Sequence, residues 1–506
     1  MGMVWLGEQE DLARERVGGK AFGINKMLRL GLPVPPGFTL TCDECIRFHQ
    51  AGEQLQDDVR QFLRDGMRRL EEATGRGFGD PARPLLVSVR SGAAQSMPGM
   101  MDTILNLGMT AAVRDALAEQ SGDADYARDT ARRFADQFQH VVGSPPSDDP
   151  YAQLEAAAAA VFGSWFSARA VAYRAHHSLD DGAGTSVTVQ AMVFGNLDDR
   201  SGTGVLFSRN PLTGDAAPYG EWLPRGQGED VVSGRFDALP LTELEAQQPD
   251  VHRELLRMAA VLEQQGRDIQ DIEYTVESGR LYLLQTRAAK RSPDAAVRIA
   301  VALQDEGVLT IDEALARVSD GQVGALLRPH VTPEARATAQ VLARGEPACP
   351  GVGAGRAVSE VEEAEDLDAE GIDVVLVRPT TDPNDVSGMI VAKAIVTEIG
   401  GATSHAAVVS RELHTPCVVG CGPGTVDAMV GRDVTIDGTT GEIYDGILPL
   451  APVGEDAMPE LARMAAWARA KVPDIDAPLP VVFAAAHALL REASSASGQE
   501  PLVGAP

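Results

Sequence analysis

The run GGATSHAAVVSREL, residues 400–413, places a histidine at the mouth of a helix. Two glycines open it, and Thr403 and Ser404 are of the kind that caps helix N-termini. The spacing predicts a helix over 406–413, with His405 beside its first unpaired backbone N–H groups. Those donors and the helix dipole favour an anion. A ring nitrogen in that place can take a phosphoryl group whose oxygens find donors at hand. The dipole supplies only about 0.3–1 kcal/mol, so the Thr403 and Ser404 hydroxyls are expected to help hold the group. A histidine that merely packs or caps fits the same letters, so the surrounding chain has to decide.

Around this run the pattern is α/β. Strands are predicted at 374–377, 394–397, 417–419 and 434–436. The glycine- and proline-bearing stretch 347–355 reads as a hinge, and 293–345 as helices connecting two units. Further upstream lie a hairpin at 271–287, a helix over 241–265 and strands at 187–193 and 204–210. Residues 111–178 look helical with a break at 144–150. Residues 17–110 alternate glycine-rich turns with short apolar segments, including a helix over 21–30 and a strand over 84–90. Beyond 446 the chain turns Ala- and Pro-rich, with one helix expected over 458–471 and disorder over the last dozen residues.

A chain of 506 residues is too long for one core and implies two to four domains. Its 44% hydrophobic and 23% charged residues are ordinary for a globular protein. A formal net charge of -29 argues against a nucleic-acid or anionic-membrane surface. It leaves a nucleotide enzyme open, because phosphate binding needs only a few local cations. Five cysteines offer no disulfide framework. Cys42 and Cys45 form a lone CxxC without a second pair of ligands, so they read as structural thiols. The N-terminus lacks a signal-peptide pattern and no apolar run approaches about 20 residues. The expectation is a cytoplasmic protein.

Three further features bear on chemistry. Residues 91–101 are small enough for backbone N–H groups to approach a polyphosphate, and Arg90 at the strand end could add charge. No Gly-Lys-Ser/Thr follows, so this is not a Walker loop, and an ordinary connection fits it too. Lys20 stands at a helix start, where a cation opposes the dipole unless a phosphate lies between them. In the hairpin, period-2 alternation puts Asp271, Glu273 and Thr275 on one face and Leu283, Gln285 and Arg287 on one face of the returning strand. A two-residue Ser278-Gly279 turn would pair Glu273 with Leu284 and turn Gln285 away. A three-residue loop with Gly279 left-handed brings both polar sets together, and that loop is the one expected. Two carboxylates, an amide and a guanidinium suit Mg²⁺ and triphosphate oxygens. A solvated face carrying a salt bridge fits equally.

From about residue 18 to 446 the chain resembles the pyruvate, phosphate dikinase family. The likeness rests on GGKAFGINKMLRLGLPVPPGFTLT (18–41), SVRSGAAQSMPGMMDTILNLGM (88–109), SGTGVLFSRNPLTG with QGEDVVSG (201–234), DIEYTVESGRLYLLQTR (271–287) and GGATSHAAVVSREL. It implies an α/β multidomain protein: an ATP-grasp nucleotide domain over 1–290, a helical linker over 291–345, a swivelling phosphohistidine domain over 346–450, and a C-terminal helical segment and tail over 451–506. It implies that ATP and phosphate react with Mg²⁺ present, leaving the β-phosphoryl group on a histidine and releasing AMP and pyrophosphate. Carried over by motif, Lys20, Arg90, Gly99, Asp271 and Arg287 would contact nucleotide and phosphate, and Glu273 and Gln285 would hold the metal. His405 would carry the phosphoryl group, and Thr403 matches a regulatory phosphorylation site of plant relatives.

The family's C-terminal barrel for pyruvate and phosphoenolpyruvate has no counterpart in these 506 residues, so a separate barrel protein is expected as partner. The family's homodimer carries over poorly, since much of that contact lies in the barrel. Two other readings stand beside this one. The first is a phosphoenolpyruvate-synthase or antibiotic-phosphotransferase relative with another acceptor, and the second is a non-catalytic regulatory remnant.

Overall fold

The computed structural model describes residues 2–95, 97, 101–176, 179–232, 238–451 and 453–497. Its framework is three sheets, and the α/β multidomain expectation holds. The first is antiparallel, with strands in the order Met3–Trp5, Gly37–Leu40, Ser186–Ala191, Val87–Gly92 and Thr103–Leu107. Ser186–Ala191 is buried at every position, as a central strand covered on both faces must be. The second sheet is also antiparallel: Leu239–Pro240, Tyr219–Pro224, Gly202–Phe207, Gln270–Glu277 and Arg280–Ala288.

The helix Arg14–Arg29 packs against strands of both sheets and spans the seam between them. It is interrupted at Gly18, whose φ of 77° and ψ of 160° are not helical. A Cβ there would lie 2.0 Å from the Gly92 carbonyl oxygen, so only glycine allows the helix to approach the end of Val87–Gly92 so closely. Lys20 consequently starts a fresh helical stretch, as the sequence predicts.

The third sheet has eight strands: Val341–Arg344, Glu442–Asp445, Asp433–Asp437, Val352–Val358, Val374–Arg378, Ala394–Thr397, Cys417–Val419 and Glu346–Cys349. From Val352–Val358 through Cys417–Val419 neighbouring strands are parallel. The helix His405–Leu413 is the crossover between Ala394–Thr397 and Cys417–Val419. Its first residue therefore sits beyond the carboxyl end of a parallel strand, where open α/β sheets gather ligands.

Several sequence expectations need correction. The stretch 293–345 is mostly helical through Pro333–Thr338, but His330–Val331 is a short strand paired with Leu450–Ala451, and Val341–Arg344 is an edge strand paired with Glu442–Asp445. Its short apolar run is satisfied by a sheet edge rather than by a helix face. The expected hinge at 347–355 is instead ladder: Glu346–Cys349 pairs with Cys417–Val419, and Val352–Val358 pairs on both sides. Gly353 is there for close approach, since its Cβ would meet the Lys393 carbonyl oxygen at 2.0 Å. The helix expected over 241–265 is two, Leu241–Gln247 and Pro249–Gly266, divided where Pro249 starts the second. After Pro459–Lys471 comes an unexpected helix, Leu479–Ser497, which packs with it on the helices following Pro293. Pro480 lies in its first turn, where proline does no harm. Its last residues overlap the stretch expected to be disordered, and 498–506 lie outside the described residues.

Cys42 and Cys45 are buried, as structural thiols are. Burial pushes Cys42 up to about 12 and Cys45 up to about 11, so neither is a nucleophile at neutral pH. Among the described residues no helix is long and apolar enough to cross a membrane.

Candidate active site

A cavity of about 1250 Å³ opens where the three sheets meet. Lys20, Arg90, Asp271, Glu273, Gln285, Arg287, Thr403 and His405 all line it. Gly99 lies outside the described residues.

The hairpin reaches its expected pairing by a different route. Ser278 and Gly279 have φ values of 50° and 80° and form a two-residue turn closed by the pair Glu277 and Arg280. Continued unchanged, that register would set Glu273 against Leu284. A β-bulge between Glu273 and Tyr274 leaves Leu284 unpaired instead, so Glu273 faces Gln285 and Asp271 faces Arg287. The expected three-residue loop is thus replaced by a tight turn and a bulge, with the same groups assembled.

Charges on this face are paired. Arg287 Nε donates to Asp271 Oδ2 at 2.8 Å. Arg90, from the first sheet, donates through Nη2 to Glu273 Oε2 at 3.2 Å, a bond that joins the two sheets. Gln285 Oε1 is buried and has no hydrogen-bond partner among the described residues. Such an acceptor costs about 1–3 kcal/mol unless a ligand meets it. An amide oxygen beside the Glu273 carboxylate fits a hard cation such as Mg²⁺. Among the described residues no cluster of three or more His, Cys, Asp or Glu could hold a metal. Mg²⁺ here would therefore draw its other ligands from phosphate oxygens and water, its usual habit.

His405 opens its helix behind Ser404, whose Oγ accepts from the Ala407 N–H at 3.4 Å. Its Nδ1 lies 3.1 Å from Thr381 Oγ1, while Nε2 is buried without a partner among the described residues. Burial pushes the imidazole down to about 4, with Asp382 opposing, so the ring is neutral at physiological pH. Thr403 is engaged elsewhere, because its hydroxyl donates to Glu221 Oε2 on the second sheet. Ser404 Oγ serves as the helix cap. The expectation that both hydroxyls cradle a phosphoryl group is therefore not met in this arrangement.

Known proteins can be set against this geometry. The pyruvate phosphate dikinase AMP/ATP-binding domain matches residues 14–76 and 55–239, and the mobile domain of PEP-utilising enzymes matches 371–441. The chain is 41% identical to the pyruvate, phosphate dikinase of Rhizobium meliloti over 515 residues, covering 88% of this chain and 57% of that protein. It is 39% identical to the Clostridium symbiosum enzyme over 493 residues, with 86% and 56% covered. Against pyruvate, phosphate dikinase 2 of Zea mays it is 40% identical over 498 residues, with 87% and 56% covered. The chain belongs to the pyruvate, phosphate dikinase family. It spans a little over half the length of these curated relatives.

Around these family motifs the structure adds residues that sequence reasoning missed. Thr381 and Asp382 come from the loop after Val374–Arg378 and line the cavity beside His405. The run Thr380-Thr381-Asp382-Pro383-Asn384-Asp385, polar and turn-forming at a strand end, was a readable signal. Others join the sheets across long sequence distances. Glu412 Oε1 accepts from Tyr173 Oη at 2.6 Å and from Lys290 Nζ at 3.0 Å, and Tyr219 Oη donates to Glu346 Oε1 at 2.9 Å. Glu221, whose carboxyl is pushed up by burial against the pull of its Thr403 bond, belongs with them. No local pattern marks these contacts.

Proposed function

We propose that this chain carries out the nucleotide half-reaction of a pyruvate, phosphate dikinase: ATP and phosphate charge His405, and AMP and pyrophosphate leave. The observation that carries the reading is the uncharged His405 ring, its Nε2 without a partner among the described residues, in one cavity with Lys20, Arg90, Asp271, Glu273, Gln285 and Arg287. Lys20, Arg90 and Arg287 would bind the polyphosphate and spread the charge of the transferring group. Asp271 would hold the Arg287 guanidinium in place through their 2.8 Å bond. Glu273 and Gln285 would hold Mg²⁺, which when bound neutralises phosphate charge. Gly99 belongs to the loop expected to approach the phosphates.

The nucleotide unit would comprise 1–290, and the phosphohistidine unit would comprise 346–450 together with the edge strand Val341–Arg344. The contacts through Thr403, Glu346 and Glu412 would hold the second unit in its charging position, and their release would let it carry the phosphoryl group to a pyruvate site outside these residues. Modification of Thr403 would put a second anion against Glu221 and so oppose that docking. Rotation would act through the segments flanking the eight-stranded sheet, residues 339–340 and 446–449.

Product analysis tests this. AMP and pyrophosphate should form from ATP only when phosphate is added. Release of free phosphate from ATP without added phosphate would instead favour a phosphoenolpyruvate-synthase type of reaction.

A further inference from the structure

We propose that Thr381 is a positioning residue for His405, fixing the proton on Nδ1 so that Nε2 presents its lone pair, and that it does so with a hydroxyl in order to keep the ring uncharged. The inference rests on the reading of His405 as phosphoryl acceptor.

Three observations carry it. Thr381 is buried, and its Oγ1 makes the ring's one hydrogen bond among the described residues. A neutral imidazole has one N–H and one lone pair. With the proton on Nε2, a buried N–H would lack an acceptor, a rarer defect than an unmet lone pair. Accepting from Nδ1–H, Thr381 removes that defect and leaves Nε2 free to attack. Second, the partner is not a carboxylate. Asp382 follows directly, yet its Oδ1 accepts from the Asn384 N–H and caps the turn Pro383–Asp385, so it acts on the ring through its charge while Thr381 makes the hydrogen bond. A carboxylate on Nδ1 would stabilise an imidazolium, as in hydrolase triads, and would tighten the bond to phosphorus. Third, Thr381 and His405 follow adjacent parallel strands, Val374–Arg378 and Ala394–Thr397, of the same sheet. The bond therefore travels with the eight-stranded unit, whereas the Glu221 contact belongs to one position.

In the charging step the Nε2 lone pair forms the bond to the β-phosphorus. The bond from that phosphorus to the oxygen bridging the α-phosphate breaks, its electron pair leaving on AMP. Added phosphate then attacks the γ-phosphorus, and the bond from the γ-phosphorus to the oxygen bridging it to the β-phosphorus breaks, its pair staying on the phosphoryl group held by His405 while pyrophosphate leaves. The Nδ1 proton stays on the ring, bonded to Thr381. Asp382 is the charged group that acts on the ring, and Lys20, Arg90, Asp271, Glu273, Arg287 and Glu412 are among the others that share the cavity.

The test uses the full chain with ¹⁵N-labelled histidine, reading the His405 tautomer by NMR and the charging rate from ATP labelled at the β-phosphorus. Wild type and Thr381→Ser should show Nδ1–H and similar rates. Thr381→Val should show mixed tautomers and charge about 10²-fold more slowly, with nucleotide affinity unchanged. Thr381→Asp should move the acid limb of the rate profile to higher pH. Nδ1–H retained in Thr381→Val at the wild-type rate, or no rescue by serine, would overturn the proposal. Absence of any phosphohistidine in wild type would defeat the reaction instead, while the tautomer comparison still decides the role of Thr381.

Discussion

The hairpin strands Gln270–Glu277 and Arg280–Ala288 and the helix His405–Leu413 prepare the same cavity in opposite ways. On the hairpin's cavity face the charged groups are already engaged: Arg287 with Asp271, and Glu273 with Arg90. Among the described residues its unmet buried side-chain atom is a neutral amide oxygen, Gln285 Oε1. At the helix mouth the His405 ring is neutral, and its Nε2 has no partner among the described residues. A surface that must receive a highly charged polyphosphate can hold its cations in place with resident carboxylates until the ligand arrives. A nucleophile must instead be dry and unprotonated. The first role needs residues drawn together from two sheets, and the second needs only burial and one hydrogen bond.

This contrast predicts different responses to substitution. The largest effect is expected on the hairpin side. Arg90→Ala should lower the charging rate by about 10²–10³-fold and leave Glu273 unpaired, while circular dichroism shows the fold intact. An equal rate in this variant would remove Arg90 from the site.

On the helix side the lever is pH. The ring's value falls from 6.5 to about 4 when buried. The unfolded chain therefore binds this proton more readily, so the contribution to stability is intact above 6.5. It is lost as pH falls toward 4, by about 3 kcal/mol. At saturating ATP the charging rate should stay level from about pH 8 to 5; a fall centred near 6.5 would mean that the ring is solvated when it reacts.

Gln285→Leu separates stability from function. Removing a buried, unmet oxygen should leave the protein as stable or about 1 kcal/mol more so, yet raise the Mg²⁺ concentration needed for half-maximal charging. A lower melting temperature would show that the oxygen is satisfied in solution. The smallest effect belongs to the turn. Gly279→Ala, at a φ of 80°, should cost about 1 kcal/mol of stability, read by denaturant unfolding, with the His405 tautomer unmoved.

What could be read from the sequence follows the same division. The Thr403-Ser404-His405 entry to a helix is local, and capping chemistry alone locates it to within one residue. Hairpin faces follow from period-2 alternation, but the bulge at Leu284 does not. It arises opposite a strand, Gln270–Glu277, whose other edge is paired with Gly202–Phe207 and whose Tyr274 stacks on Trp222 at 6.2 Å between ring centroids. Glycines around 353 look like a hinge because the same residue type serves flexibility and close strand approach. Glu221, Lys290 and Glu412 meet partners more than 100 residues away in the chain, so these contacts have no local signature. Helix Leu479–Ser497 is held by tertiary packing that an Ala-rich stretch does not announce.

The most direct measurement is incubation of the protein with phosphate and ATP labelled at the β-phosphorus, followed by recovery of the acid-labile label. Wild type should carry it on His405, and His405→Ala should carry none. A wild-type protein that stays unlabelled, or an alanine variant labelled equally, would contradict the account.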